Sequence, residues 1–425
     1  MLDQKVQRMN VELTTRNGRR IFVLSEIFHP ETTSTGYYLT SIAERLSQSF
    51  KVQAICADPA EGPTLPRAET YRRVQIERLG RMSMTDMAVH RRALGAFSRA
   101  LRMFFRLLRR LHAGDIVLTV TNPPLLPPLV ALGCLLKRTR LVLLVHDIYP
   151  DAAVAAGVLN RGSVGARIWG GLQRWVYRRA DRIICLGRDA RALIVRKEPR
   201  IAGKLAVIPN WAETDTVQVS AKKDSSFALS QRVRQRFVVL YAGNLGRTHD
   251  PDLIIDAARL LERQYEILFL IVATGSQFSC FAAAVECGAR PNLVAVPLPG
   301  SRDQQSDTLA AGDVVLITFK SGMGGVSVPS RMYNAMAAGK PLIGVTESDS
   351  ELAFVIREEA IGWVVQPGDA AALARAISEA RADPDRLKQM GLRARVVAET
   401  KYSRQVVLAQ YASLVESLAN ESSPS

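Results

Sequence analysis

Residues 314–345 (VVLITFKSGMGGVSVPSRMYNAMAAGKPLIGV) limit what this chain can fold into more than any other stretch. Residues 314–319 form a short apolar run rich in β-branched side chains, the pattern of a strand buried on both faces. Ser321-Gly322-Met323-Gly324-Gly325 then make a bend in which the backbone can approach a ligand with no Cβ in the way. Ser327-Val328-Pro329-Ser330 adds hydroxyls suited to a helix cap and a proline suited to a first turn. The spacing predicts a helix over 329–338, a stop at Gly339 and, after Pro341, a strand over 342–345. Strand, glycine loop and helix N-terminus aim free N–H groups at one spot, which suits a phosphate. The alternative is an ordinary βαβ unit with a flexible loop.

A chain of 425 residues is too long for one ordinary core, so two domains of about 200 residues each are expected. The five cysteines (Cys56, Cys134, Cys185, Cys280, Cys287) are scattered, with no CxxC pair or His/Cys cluster. That usage predicts a reducing, cytoplasmic setting and no metal site. Residues 1–18 are polar, so a loose tail is expected rather than a signal peptide. Residues 116–136 run uncharged for 21 positions, long enough on paper to span a membrane. Pro123, Pro124, Pro127 and Pro128 favour a strand, a turn and a short apolar helix instead.

The net charge of +16 asks for a partner. Residues 72–110 concentrate it: eleven arginines (72, 73, 78, 81, 91, 92, 99, 102, 106, 109, 110) stand against Glu77 and Asp86. Leu94, Phe97, Leu101, Phe104, Phe105, Leu108 and Leu111 recur there at helical spacing. Such a helix can bury its apolar stripe and present arginines to water, or it can lie on an anionic lipid surface. Nucleic acid is a weaker partner, because no recognition helix or aromatic RNA platform accompanies the charge.

In chain order, a strand over 20–25, a polar loop to Gly36, a helix over 37–50 and a strand over 52–56 make a first β-loop-α unit. It lacks GxGxxG, which argues against nicotinamide-dinucleotide binding. Residues 141–145 (LVLLV) are a fully apolar strand ending at His146-Asp147, an ionisable pair where chemistry commonly sits. The alternative is that the pair caps the next helix. Strands over 182–186 and 205–208 follow, and the chain turns polar and aperiodic over 212–235, a natural boundary. A second α/β cycle opens with a strand over 237–241 and a loop holding Gly243, Asn244, Gly246, Arg247 and His249 before a helix over 251–261. Arg247 is placed to reach a diphosphate held at 321–330.

The strings TNPPLLPPL, VHDIYPDAAVAAGVL, RIICLGRDA…VIPNWAE, YAGNLGRTHD and VPSRMYNAMAAGKPLI resemble family 4 (group 1) glycosyltransferases. The likeness covers most of 20–415 and is nearest the bacterial branch of L-fucosamine and colanic-acid-type transferases. It implies an α/β GT-B fold: two Rossmann-like domains facing across a cleft, with a C-terminal helix crossing back to the first. The expected division is a tail at 1–18, an acceptor-side domain at 19–211, a nucleotide-sugar domain at 212–402, and a crossover helix with tail at 403–425. By the same resemblance Gly36 approaches the donor, while His146 and Asp147 contact the transferred sugar or take the acceptor's proton. Arg247 faces the diphosphate, with His249 nearer the family's usual lysine. Gly243, Asn244, Gly324, Gly325, Ser327, Val328, Ser330 and Asn334 complete the donor site. The family's two glutamates eight apart fall on Val326 and Asn334. Asn334 retains hydrogen-bonding groups for a ribose, whereas Val326 has none.

The implied activity is retaining, metal-independent transfer from a nucleotide-sugar to a lipid-linked or other glycan acceptor in bacterial polysaccharide assembly. The implied location is the cytoplasmic face of the plasma membrane, with no cofactor. A nucleotide-sugar 2-epimerase on the same architecture and a non-catalytic subunit of a membrane glycan complex remain as alternatives.

Overall fold

The computed structural model describes residues 19–31, 34–59, 65–80, 89–155, 157–160, 162–288, 290–299, 302–327 and 329–421, with the side chains of 89–94 and 302 excepted. The expected tail at 1–18, Arg81, Asp86 and Val328, and the side chains of Arg91, Arg92 and Leu94, lie outside the described residues.

Two parallel sheets organise the chain. The first holds β1 (Arg20–Leu24), β2 (Lys51–Cys56), β3 (Ala68–Tyr71), β4 (Val74–Arg78), β5 (Ile116–Val120), β6 (Arg140–Val145), β7 (Arg182–Cys185) and β8 (Leu205–Val207). Their order is β3-β4-β2-β1-β5-β6-β7-β8, and only the β3–β4 hairpin is antiparallel. The second holds β9 (Phe237–Asn244), β10 (Ile267–Thr274), β11 (Leu293–Pro297), β12 (Val314–Thr318), β13 (Leu342–Val345) and β14 (Gly362–Val365). Its order is β11-β10-β9-β12-β13-β14.

Each sheet is covered by helices on both faces, which is why its strands read as unbroken apolar runs. In β1, Ile21 and Val23 enter one core layer while Phe22 and Leu24 enter the other, the period of two expected of a strand. Strand order reverses at β1/β5 in the first sheet and at β9/β12 in the second. The carboxyl ends of those pairs are therefore where open α/β sheets leave a crevice.

Helix 404–420 returns to the first domain. It buries Val407, Tyr411, Val415 and Leu418 in the layer that holds Leu39 and Ile42. Arg140 donates to the carbonyls of Leu418 and Glu421, fixing the helix end. The two crossings between domains run side by side: Ala212 N donates to Tyr402 O at 2.7 Å, and Ala212 bridges Ser403. The proline-rich stretch forms β5, a turn and helix Leu126–Lys137. Among the described residues no helix is long and apolar enough to cross a membrane.

Two expectations need correction. Gly36 is not in a loop but in the first turn of helix Ser34–Leu46. A Cβ there would lie 2.9 Å from Glu31 O, so glycine lets the helix start pack on its own preceding loop. The basic run divides between two elements: 68–78 is the β3–β4 hairpin, with Arg72 and Arg73 at its turn (φ 44° and 70°), and the expected helix is Val89–Leu108. Its buried face also differs from the expected stripe. Ala100, Met103, Phe104 and Leu107 face the core, with Leu111 just beyond the helix, while Phe97 and Phe105 are 45% and 51% exposed. Small residues decide this face, since a Cβ on Gly133 of the neighbouring helix would lie 3.3 Å from Phe104. Much of the charge is also neutralised locally. Arg72 pairs with Glu44, Arg78 with Glu69, Arg99 with Glu26, and both Arg106 and Arg110 with Glu77.

Candidate active site

On the first domain, β6 ends at His146-Asp147 with its apolar residues sealed in the core. The buried Thr121, at the end of β5, accepts from both His146 N (3.1 Å) and Asp147 N (3.0 Å) through Oγ1. That single hydroxyl fixes the strand-end backbone. Thr35, in helix 34–46, lies 3.4 Å from His146 Nδ1, and His146 Nε2 is shielded from water without a partner. Burial pushes the His146 imidazole down to about 4, so it is neutral with a lone pair at pH 7. Burial raises the Asp147 carboxyl.

On the second domain, the predicted loop and helix form after β12, although the helix is the short segment Arg331–Ala337 and Ser330 gives no side-chain cap. Backbone N–H groups of the glycine loop are taken by two carboxylates of the chain itself. Gly322 N and Gly324 N donate to Glu347 (2.6 and 2.7 Å), and Gly325 N donates to Asp189 Oδ2 at 3.0 Å. Gly325 has φ +72°, and a Cβ on it would lie 2.9 Å from Asp189 O, so its bareness admits the other domain's backbone. Arg188, beside Asp189, donates to Glu351 and Glu358 of the second domain. The side chain of Val326 is buried, and its N–H and that of Ser327 both donate to Met323 O.

Gly243 and Asn244 end β9 rather than lying in a loop. Gly243 (φ +137°) leaves room for Arg331, whose Cζ would be 3.4 Å from a Cβ there. Sequence reasoning passed over Arg331. Its guanidinium stacks on Tyr241 at 4.5 Å and donates through Nη2 to Asn244 O (2.7 Å), with His249 Nε2 at 2.9 Å; Nη1 is shielded and unpartnered. Since arginine only donates, His249 Nε2 must accept and the ring is neutral. Burial first, and then the Arg331 charge, push it down to about 3. His249 is therefore a brace. Arg247 is exposed and lines a cavity of about 530 Å³ with Lys320, Ser276, Gln277, Ala155 and Gly157.

Asn334 is engaged at both ends. Its Oδ1 accepts from Glu213 N (3.0 Å) and its Nδ2 donates to Gln305 (3.1 Å), so it pins the interdomain linker. Glu213 in turn accepts from Trp211 Nε1 at 2.7 Å. Among the described residues no three His, Cys, Asp or Glu side chains converge as a metal site.

The family described as Glycosyltransferase Family 4 matches residues 35–216, and that described as Glycosyl transferases group 1 matches residues 222–397. WbjE of Pseudomonas aeruginosa, named a probable glycosyltransferase, is 32% identical over 408 residues, covering 95% of this chain and 99% of that one. WcaI of Escherichia coli, named for glycosyl transfer in colanic acid biosynthesis, is 25% identical over 92% of this chain and 98% of its own. In architecture, Anabaena HepE in complex with UDP aligns with a TM-score of 0.70 at 16% identity over 94% of this chain and all of that one. Sucrose-phosphate synthase from Thermosynechococcus elongatus gives 0.72 at 17% identity, over 94% and 99%. Both halves of the chain carry the family's pattern, and a relative matches it nearly end to end: the protein belongs to the family 4, group 1 glycosyltransferases and has their GT-B fold.

Proposed function

We propose that the protein is a retaining, metal-independent glycosyltransferase. It moves a sugar from a nucleoside-diphosphate sugar to a lipid-linked glycan acceptor at the cytoplasmic face of the plasma membrane, in bacterial polysaccharide assembly. The observation that carries the reading is the pairing across the cleft. The neutral His146 and raised Asp147 stand at the end of β6, one strand from the first sheet's switch point, and the glycine loop after β12, with Lys320 beside it, stands at the other sheet's switch point. The relatives named for glycosyl transfer support the pathway class, and neighbours solved with UDP and UDP-glucose support a UDP-sugar donor.

In the proposed step, the bond from the sugar's anomeric carbon to the diphosphate oxygen breaks. The acceptor hydroxyl oxygen bonds to that carbon on the same face. Its proton passes to His146 or Asp147, or to the departing diphosphate. The hydroxyls of Ser327 and Ser330 and the Arg247 guanidinium meet the charge that grows on the leaving group.

The lipid side is supported by an exposed face of the first domain. Helix 89–108 presents Phe97, Phe105 and Arg102, and the turn just after it presents Arg109. It packs on helix 126–137, which exposes Leu132 and Leu136, and that helix packs on 164–179, which exposes Ile168 and Arg167.

Thermal shift with UDP, GDP, ADP and dTDP, with magnesium or with EDTA, tests the reading. One diphosphate should stabilise the protein equally in both conditions, and Arg247→Ala should remove most of that shift and lower turnover at least tenfold. No shift with any of the four would favour the binding-subunit reading, which the apolar Val326 and the engaged Asn334 already suit.

A further inference from the structure

We infer that Lys320 is the second cation of the diphosphate subsite, paired with Arg247, and that His249 contributes no charge to it. The inference rests on the donor reading above. A departing diphosphate gathers more charge than one guanidinium balances, so a second cation is chemically expected. The loop that follows β9 offers only Arg247 and His249 as basic types before the helix at 251.

Geometry disqualifies His249. It is 5% exposed, its ring stacks on Phe319 at 5.4 Å, and its Nε2 faces a guanidinium that can only donate. A proton on that nitrogen would set N–H against N–H. Arg331 is itself committed to Asn244 O, His249 and the Tyr241 face.

The charge enters from the neighbouring loop instead. Lys320 directly follows Phe319, whose ring covers His249, and Lys320 N donates to Thr248 O at 2.9 Å. Its main chain is thereby fastened to the loop that carries Arg247. Both side chains are exposed and line the same cavity of about 530 Å³. Ser276 and Gln277 add polar groups to its wall, and Gln277 is anchored by donating to Gly246 O. Ala155 and Gly157 of the first domain form the remaining wall. Two cations and two polar side chains in one interdomain cavity fit phosphoryl oxygens.

Calorimetric titration of wild type, Lys320→Met, Lys320→Arg, Arg247→Met and His249→Gln with the di- and monophosphates of uridine, guanosine, adenosine and thymidine tests this. Lys320 is exposed, so Lys320→Met should fold; circular dichroism and melting check it. For the diphosphate that wild type binds, Lys320→Met should lose about tenfold or more in affinity, against less than about threefold for the monophosphate. Lys320→Arg should keep the preference, and His249→Gln should leave it unchanged. Equal losses for di- and monophosphate would mean a structural role and overturn the inference. So would full retention in Lys320→Met beside a loss in Arg247→Met, with the donor reading intact. If wild type binds none of the diphosphates, the donor reading falls and this inference with it.

Discussion

His146 and His249 are both held neutral, one by burial at a strand end and the other by burial plus an adjacent guanidinium. Their folded values, about 4 and about 3, lie below the ordinary 6.5, so the unfolded chain takes up protons first as pH falls. The stability they contribute is full above about pH 6.5 and is lost progressively as pH falls toward 4 and below. Melting temperature should therefore drop between pH 7 and pH 4.5, and His249→Gln should shrink that drop. A pH-independent melting temperature across that window would contradict the burial of both rings. For the same reason the acid limb of turnover should lie nearer pH 4 than 6.5 if His146 accepts the proton. The position of His146 at a strand end was legible because an apolar run of adjacent residues leads to it. The neutrality of His249 was not, because it depends on Arg331, 82 residues away.

At the scale of elements, helix 89–108 separates two uses of apolar residues. Those facing Gly133 build the core, whereas Phe97 and Phe105 stand in solvent beside Arg102 and Arg109. Replacing exposed residues should leave melting nearly unchanged. In flotation assays the protein should bind vesicles rich in phosphatidylglycerol and release them as salt rises. Arg102→Glu with Arg109→Glu should weaken binding at least tenfold, at about 1 kcal/mol for each cation near the surface. Equal binding to uncharged phosphatidylcholine vesicles, or no effect of the double change, would refute a lipid-facing role. Apart from β3, β4 and β14, the strands of both sheets were legible from apolar runs of the right length. The β3–β4 hairpin was not, since only Val74 and Ile76 mark its inner face amid charged neighbours. The glycine loop after β12 was legible as a bend with free N–H groups, but not that Asp189 and Glu347 take them, because side chains brought in from other loops leave no trace in local spacing.

Across the whole molecule the domains are joined twice, by covalent crossings at 212 and 402 and by a noncovalent clasp. In that clasp Asp189 accepts from Gly325 N and Glu351 N while Arg188 grips Glu351 and Glu358. The covalent arrangement makes the first domain discontinuous in sequence. A chain ending at Tyr402 would uncover the layer that Val407, Tyr411, Val415 and Leu418 complete. It should aggregate or melt well below the full chain, with residues before 212 cut first by protease and the second domain left protected. Equal stability of the shortened chain would show that the helix is dispensable to the core. The same arrangement sets an order in time. During synthesis all eight strands of the first sheet leave the ribosome about 200 residues before the helix that seals them, some tens of seconds at about 5–20 residues per second. The second domain is an insert that can close first. The domain emerging first is therefore finished last, and its open layer must be kept from wrong partners while the rest of the chain is made.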